Sequence, residues 1–304
     1  MIRRLFPLVS AALAFGLAAC SDFATPAPSA LPAPTATVVP STPTAADPPV
    51  PTAVPSSTPA VAPFAGTAQS FDRLSLMLPA GVAAGGTGTI VAKADADSVA
   101  PWDAAPEHIQ FTLDGYTVRG ALLQPQIFVY PAGAYAQLQQ NGAAAKSLER
   151  LRTLVAQPAG QAVTKDQLPW VPFFNAAQII VPQIKRVDFQ KGRGVRVVTQ
   201  YAQGLVAINN HELFYHFEGL THDGQYYVVA ILPVTAPALA ENADPGAAVP
   251  AGGVPMPDLN SANPDIAGYY AKVQQMLDGV KPGAFSPSLD QLDALIGSLT
   301  VASN

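Results

Sequence analysis

Proline content divides this chain and sets which part of it can form a compact fold. Residues 21–65 contain 12 prolines and 12 serine or threonine residues, and only Asp22 and Asp47 carry charge. A segment of this composition buries too little apolar surface to offset its conformational entropy, so we expect it to be disordered and partly extended. Residues 20–67 are therefore predicted to be a tether, and a compact fold is expected only in residues 68–304.

The first twenty residues have the layout of a bacterial export signal. Arg3 and Arg4 precede the apolar run LFPLVSAALAFG, which is shorter than the ~20 apolar residues that a spanning helix needs. The run leads into LAAC (residues 17–20), which resembles the lipobox of bacterial lipoproteins. The resemblance implies removal of residues 1–19 and a diacylglyceryl thioether on the Cys20 sulfur.

A chain processed in this way would be anchored to membrane lipid through acylated Cys20. It would lie on the extracytoplasmic face, in the outer leaflet of the cytoplasmic membrane or on the periplasmic side. More than one acyl chain would make this anchoring stable, since a single chain binds membranes only marginally. The alternative is an ordinary cleaved signal peptide in which a cysteine stands at the cleavage site by coincidence.

Cysteine and charge content exclude several functional classes. Cys20 is the only cysteine among 304 residues, so the mature domain has neither a disulfide partner nor a cysteine nucleophile. All 21 acidic residues follow Cys20, whereas two of the 16 basic residues precede it, which gives the predicted mature chain a net charge of about −7. No cluster of Lys and Arg is present, so a nucleic-acid partner is not expected.

Residues 68–304 are predicted to form a single α+β domain, with a largely antiparallel β-sheet and helices packed on it. Strands are expected at FDRLSLMLP (71–79), at GTGTIVAK (86–93) and in the region YTVRGALLQPQIFVYP (116–131), with Pro125 marking an edge or a bulge. The strings IKRVDFQ and VRVVTQY flank residues 191–194 and predict a hairpin.

The spacing of apolar residues predicts the helices. Residues 132–157 have helical spacing, and an Asn-Gly pair is expected to divide them into two helices. Two more helices are predicted near the C-terminus, and the last begins at Ser288, which forms a capping box with Gln291. Residues 235–265, rich in Pro, Ala, Gly and Asn, are predicted to be a flexible loop that is either functional or disordered.

This order of elements resembles that of the PsbP/Mog1-like α/β/α sandwich. The resemblance rests on the opening string FDRLSLMLP, the central antiparallel sheet and the closing string LDALIGSLTV. Some members of that family are lumenal photosystem subunits or lipoproteins, so the resemblance implies a non-enzymatic role in assembly. A fold by itself does not determine function.

Three of the four histidines lie in HELFYHFEGLTHDG, residues 211–224. A metalloprotease helix needs H-E-x-x-H, in which both histidines lie on one face. His211 and His216 are five residues apart, which places them on different faces of either a helix or a strand. The aromatic string LFYHF, a turn at His222–Gly224 and the apolar string YYVVAILPV instead predict a β-hairpin.

The predicted hairpin has a three-residue loop, which places Phe217 opposite Val229 and Tyr215 opposite Ile231. These four residues, together with Leu213, are expected to form the face that points to the core. The other face is mixed in character and is expected to be partly covered.

That other face holds the one plausible cluster of ligands, His216 between Glu212 and Glu218. Neighbours two apart on a strand lie ~7 Å from each other, which is wide for one small ion. A histidine paired with a carboxylate, with a raised pKa, is therefore favoured over a metal site.

Complete catalytic motifs are absent from the sequence. No G-x-S-x-G elbow and no phosphate-binding G-x-x-x-x-G-K-[ST] occur. Asp95 and Asp97 begin like a calcium loop but lack its glycine and closing glutamate, so an exposed acidic loop is the favoured interpretation. Four aromatic residues near prolines could form a sugar or peptide platform, although core or rim packing is favoured: Trp102, Trp170, Phe173 and Phe174.

The sequence therefore favours a non-catalytic, lipid-anchored protein without a cofactor. It would act outside the cytoplasm as an interaction, assembly or envelope accessory module with an unidentified envelope protein partner. The alternative is a ligand- or metal-binding module that uses the His216 face or residues 235–265. A third hypothesis is a hydrolase in which His108, Asp114 and distant serines converge in space.

Overall fold

A computed structural model describes residues 65–138, 142–158, 161–171, 175–244 and 246–303. The predicted signal peptide, Cys20 and nearly all of the predicted tether lie outside these residues. The described residues form a seven-stranded sheet, a three-stranded sheet, a two-stranded sheet and four α-helices. The strands are β1 (Gly66–Phe71), β2 (Leu74–Pro79), β3 (Gly85–Val91), β4 (His108–Asp114), β5 (Gln126–Pro131), β6 (Ala177–Gln178), β7 (Lys185–Phe189), β8 (Gly192–Thr199), β9 (Tyr201–Ala202), β10 (Phe214–Thr221), β11 (Tyr226–Pro233) and β12 (Thr300–Val301). The helices are α1 (Ala132–Leu138), α2 (Ala143–Ala156), α3 (Ile266–Gly279) and α4 (Leu289–Ser298).

The seven-stranded sheet has the order β3-β4-β5-β11-β10-β8-β7, and every neighbouring pair is antiparallel. This confirms the predicted α+β fold. Strands β10 and β11 lie near its centre, and all eight residues of each are buried. Burial on both faces requires cover on both sides, and apolar and aromatic residues accordingly predominate in both strands.

Helices cover both faces of this sheet. One core cluster lies between the sheet and α1 and α2, where Leu148 and Leu151 of α2 are buried. The larger cluster lies on the opposite face, where it includes α3, α4 and the small sheet of β1, β2 and β12. Together they give a three-layer arrangement with the sheet in the middle.

The predicted register of the β10–β11 hairpin is wrong by one residue. Phe217 lies opposite Ala230, and Tyr215 lies opposite Leu232. The connection has four residues, because Asp223 Oδ1 accepts hydrogen bonds from Gln225 N at 3.0 Å and from Thr221 Oγ1 at 2.6 Å. This side-chain turn adds one residue to the loop, and a shift of one residue moves side chains to the other face of a strand.

The shift changes which residues of β11 share a face with Tyr215 and Phe217, and which share a face with His216. Leu213, Tyr215 and Phe217 do point into the larger core, as predicted. Val229 and Ile231 instead belong to the cluster under α2, on the same face as His216.

Other strand boundaries also differ from the predictions. The string FDRLSLMLP is not one strand, because the chain turns at Asp72, whose φ is +52°, and forms the β1–β2 hairpin. Aspartate tolerates this left-handed conformation better than most residues. Strand β4 was not predicted, and Pro125 precedes an interior strand rather than marking an edge.

The glycines after Lys191 belong to strand β8 rather than to the turn. Gly192 lies opposite Phe189 in the β7–β8 ladder, and Gly194 lies opposite Gly219 of β10. A Cβ on Gly194 would lie 2.3 Å from Glu218 O and 2.5 Å from the Phe217 ring. These glycines are therefore needed for the close packing of two aromatic rings on the sheet.

The helix predictions are confirmed. The segment after β5 forms two helices, and α4 begins at Ser288, where both bonds of the capping box are present. Ser288 Oγ accepts from Gln291 N at 3.1 Å, and Gln291 Oε1 accepts from Ser288 N at 3.4 Å. The described part of the chain contains no helix long and apolar enough to cross a membrane.

Candidate functional site

The His216 face of the hairpin is covered by α2 and by the connector that follows it. Ser147 of α2 accepts a hydrogen bond from Trp170 N at 2.7 Å and so holds the connector against the sheet. The next backbone amide, Val171 N, donates to Glu218 Oε1 at 2.9 Å. His216 and Glu218 are only 3% and 2% exposed, so substrate cannot reach either side chain in this structure.

The pairing of His216 with Glu218 is confirmed, with His216 Nε2 lying 3.2 Å from Glu218 Oε1. Tyr227 donates from its hydroxyl to the other carboxylate oxygen, Oε2. Glu212 does not join this cluster, since it precedes β10 and accepts from Gln200 Nε2 at 2.8 Å.

The raised pKa that we predicted for His216 is wrong. Burial lowers the pKa of His216 to about 3 and raises the pKa of Glu218 to about 7, the latter opposed in part by the bonds from Tyr227 and Val171. Loss of hydration penalises the charged form of each group, which is the positive form of His216 and the negative form of Glu218. His216 is therefore neutral in the folded protein at physiological pH, Glu218 changes its charge near pH 7, and both side chains are buried in the core.

The other sequence candidates do not converge. His108 and Asp114 stand at opposite ends of β4, about 20 Å apart at ~3.3 Å per residue, so the hydrolase hypothesis loses its proposed pair. Asp95 pairs with Lys93 at 2.6 Å on the surface. Trp102 and Trp170 are half-buried, and Phe173 and Phe174 lie outside the described residues. Within the described ranges, no three His, Cys, Asp or Glu side chains lie close enough to hold a metal ion.

A cleft of about 710 Å³ lies beside the N-terminal half of α3. Residues 205–208 form one side, residues 238–260 provide most of the rest, and Tyr269 of α3 contributes its ring. The lining is mainly apolar, with Val206, Leu239 and Met256 among its side chains, and it includes four polar residues: Asn242, Asp244, Asp258 and Asn260.

Hydrogen bonds at the base of the loop fix one side of this cleft. Asn210 Nδ2 donates to Ala236 O and to Leu239 O, each at 3.2 Å, and Asn210 Oδ1 accepts from Ala236 N at 2.8 Å. Asn210 is 9% exposed, so these bonds are shielded from water. The start of the 235–265 segment is thereby packed on the core although the segment contains no helix or strand before α3.

Helix α3 fixes the opposite side. The Tyr269 hydroxyl accepts from Ile208 N at 2.9 Å, and the Tyr270 hydroxyl donates to Val206 O at 3.0 Å. Two tyrosines thus hold residues 205–208 against α3, and the cleft is formed before any ligand arrives, as is usual for small-molecule sites.

Exposed apolar side chains mark this cleft. Five large apolar residues are exposed in the described structure, and three of them line the cleft: Leu205 at 57%, Val249 at 40% and Leu259 at 46%. Grouped apolar exposure indicates a binding surface more strongly than isolated residues do. The sequence identified residues 235–265 as a loop that is either functional or disordered, but it missed Leu205, which begins the short apolar run LVAI (205–208).

No protein-family model, no curated protein and no solved structure matches this chain. The geometry of the cleft and the residues that line it are therefore the basis for a functional proposal.

Proposed function

We propose that this protein is a lipid-anchored, extracytoplasmic binding protein whose folded domain takes up a small, mainly apolar molecule in the cleft beside α3. The observation that carries the proposal is the cleft of about 710 Å³ with three exposed apolar side chains in its lining. Small-molecule sites typically have volumes of roughly 300–1,000 Å³, mainly apolar walls and a few polar groups.

The cleft also supports a non-catalytic role. Among the described residues that line it, the titratable side chains are Asp244, Asp258 and Tyr269, and the Tyr269 hydroxyl accepts a hydrogen bond from the Ile208 amide. The two most strongly perturbed acid–base groups outside the tyrosines, His216 and Glu218, are sealed beneath α2. Catalytic groups must reach the reacting atoms, so this arrangement favours binding over chemistry.

A small ligand is favoured over a folded protein partner. Stable protein interfaces bury about 800 Å² on each partner, and their central residues form a broad surface. The three exposed apolar residues Leu205, Val249 and Leu259 instead surround a concavity. The hypothesis of a protein-interaction module is therefore second to the ligand-binding alternative.

The anchor is proposed from the resemblance of residues 17–20 to a lipobox, since Cys20 lies outside the described residues. We expect Cys20→Ala to abolish incorporation of labelled palmitate and to leave the signal peptide uncleaved, because the thiol that accepts the lipid is gone. Labelling in cells measures the incorporation of palmitate, and a gel shift of the same samples measures cleavage of the signal peptide. Palmitate labelling of the Cys20→Ala variant equal to that of the wild type would disprove the anchor.

Polar substitutions at the cleft should weaken binding without unfolding the domain. We expect the double variant Leu205→Asp, Leu259→Asp to bind decyl glucoside, a neutral apolar probe, at least tenfold more weakly than the wild type. Both side chains are about half exposed, so their replacement removes contacts with the ligand rather than core packing. Calorimetric titration of the chain from Ser21 onward, below the critical micelle concentration of the probe, measures the affinity.

The matched control is Leu122→Asp, because Leu122 is 52% exposed but does not line the cleft. It should bind the probe like the wild type. Equal affinities for all three proteins, or no binding by the wild type, would refute the proposed site.

A further inference from the structure

The stretch of chain that builds the cleft has an unusual charge distribution. No lysine or arginine occurs between Arg196 and Lys272, whereas seven acidic residues do. Every residue that lines the cleft comes from this stretch. A ligand in the cleft therefore contacts no basic side chain of the described residues, and an anionic head group there would lose hydration without gaining a counter-charge from them.

Two carboxylates stand in the lining itself. Asp258 Oδ1 accepts hydrogen bonds from Asn260 N at 2.9 Å and from Asn260 Nδ2 at 3.1 Å, which fixes the orientation of its carboxylate. Asp244 lies on the other part of the loop, in a turn closed by Ala247 N, which donates to Asp244 O at 2.9 Å. Both aspartates are exposed, and their carboxylates make the potential in the cleft negative.

We propose that the cleft selects apolar molecules by charge: it binds those that carry an amine or a quaternary ammonium group most tightly, neutral ones less tightly, and anionic amphiphiles such as fatty acids least. This inference rests on the proposed function. Its basis is the absence of basic residues from the lining together with the two aspartates, combined with the apolar walls that supply most of the binding energy.

Three probes with the same decyl chain separate the charge of the head group from the apolar contacts. Decyltrimethylammonium, decyl glucoside and decanoate are titrated into the chain from Ser21 onward, at low salt and below their critical micelle concentrations. We expect decyltrimethylammonium to bind about tenfold more tightly than decanoate, because the two partly screened carboxylates of the cleft contribute a free-energy difference of about that size. The preference for decyltrimethylammonium over decanoate should decrease at high salt, because salt screens the charges.

The double variant Asp244→Asn, Asp258→Asn should reduce the ratio of the affinities for decyltrimethylammonium and decanoate to about threefold or less. Asp97→Asn is the matched control, since Asp97 is an exposed aspartate that does not line the cleft. Decanoate binding as tightly as the ammonium probe, with decyl glucoside also bound, would overturn the charge selectivity and leave the proposed function standing. No binding of any of the three probes would overturn both.

Discussion

Replacing Asp293 with asparagine should lower the free energy of unfolding by ~3–5 kcal/mol, the largest effect that we expect from a single substitution. Asp293 on α4 pairs with Arg196, a side chain of β8 that is only 2% exposed, through an Arg196 Nε to Asp293 Oδ1 contact of 3.1 Å. Tyr215 donates to the same oxygen at 3.0 Å. The substitution leaves a guanidinium buried in the core without a counter-charge.

Lys185→Gln is the control for this experiment. Lys185 Nζ also contacts Asp293, at 2.8 Å, but the lysine is 52% exposed, and such pairs contribute little because water screens them. We expect a change below about 1 kcal/mol for this variant. Urea unfolding at neutral pH measures the free energy of unfolding of both variants and of the wild type. If Asp293→Asn is no more destabilising than Lys185→Gln, the buried ion pair does not hold α4 on the sheet.

The second large effect concerns the pH dependence of stability at Glu218. Burial raises the pKa of Glu218 to about 7 from an unfolded value near 4.5. Between these two pH values the unfolded chain releases the proton while the folded chain keeps it, so this residue's contribution to stability falls as pH rises from about 4.5 to 7. The loss amounts to ~3 kcal/mol for a shift of this size.

The variant Glu218→Gln cannot titrate at this position but keeps an oxygen that can accept from Val171 N. We therefore expect its free energy of unfolding, relative to the wild type, to rise by ~3 kcal/mol between pH 4.5 and pH 7, then to level off above pH 7 once both states of the wild type are ionised. Glu149→Gln, at a residue exposed on α2, should follow the wild-type curve. The difference in the free energy of unfolding between Glu218→Gln and the wild type could instead be independent of pH. That result would show that Glu218 ionises as readily in the folded protein as in the unfolded chain.

Local signals in the sequence were sufficient for the helices and for the existence of the hairpins. The capping box at Ser288 and the spacing of Leu289, Leu292 and Leu295 act within one helix, so the sequence predicts α4 correctly. The register of the β10–β11 hairpin depends on one side chain, Asp223, whose hydrogen bonds lengthen the loop. Loop length cannot be read from strand patterns alone, and the predicted facing pairs were therefore wrong.

Features formed by distant segments were less accessible to sequence reasoning. The direction of the His216 pKa shift depends on how completely α2 and Val171 exclude water, and neither segment is near His216 in sequence. The cleft likewise requires Leu205, Leu259 and Tyr269 to meet, which only the tertiary structure brings about. Its charge character, by contrast, is visible in the sequence as the long stretch without lysine or arginine.

The most direct measurement of ligand binding in the cleft is a methyl NMR titration of the chain from Ser21 onward with decyl glucoside. We expect the largest shifts at the methyl groups of Leu205, Val206, Val249 and Leu259, which line the cleft. Methyl groups of Ile90 and Leu122, exposed elsewhere on the domain, should stay unchanged. Shifts that are largest at those two residues, or an unchanged spectrum at saturating probe, would contradict a binding site beside α3.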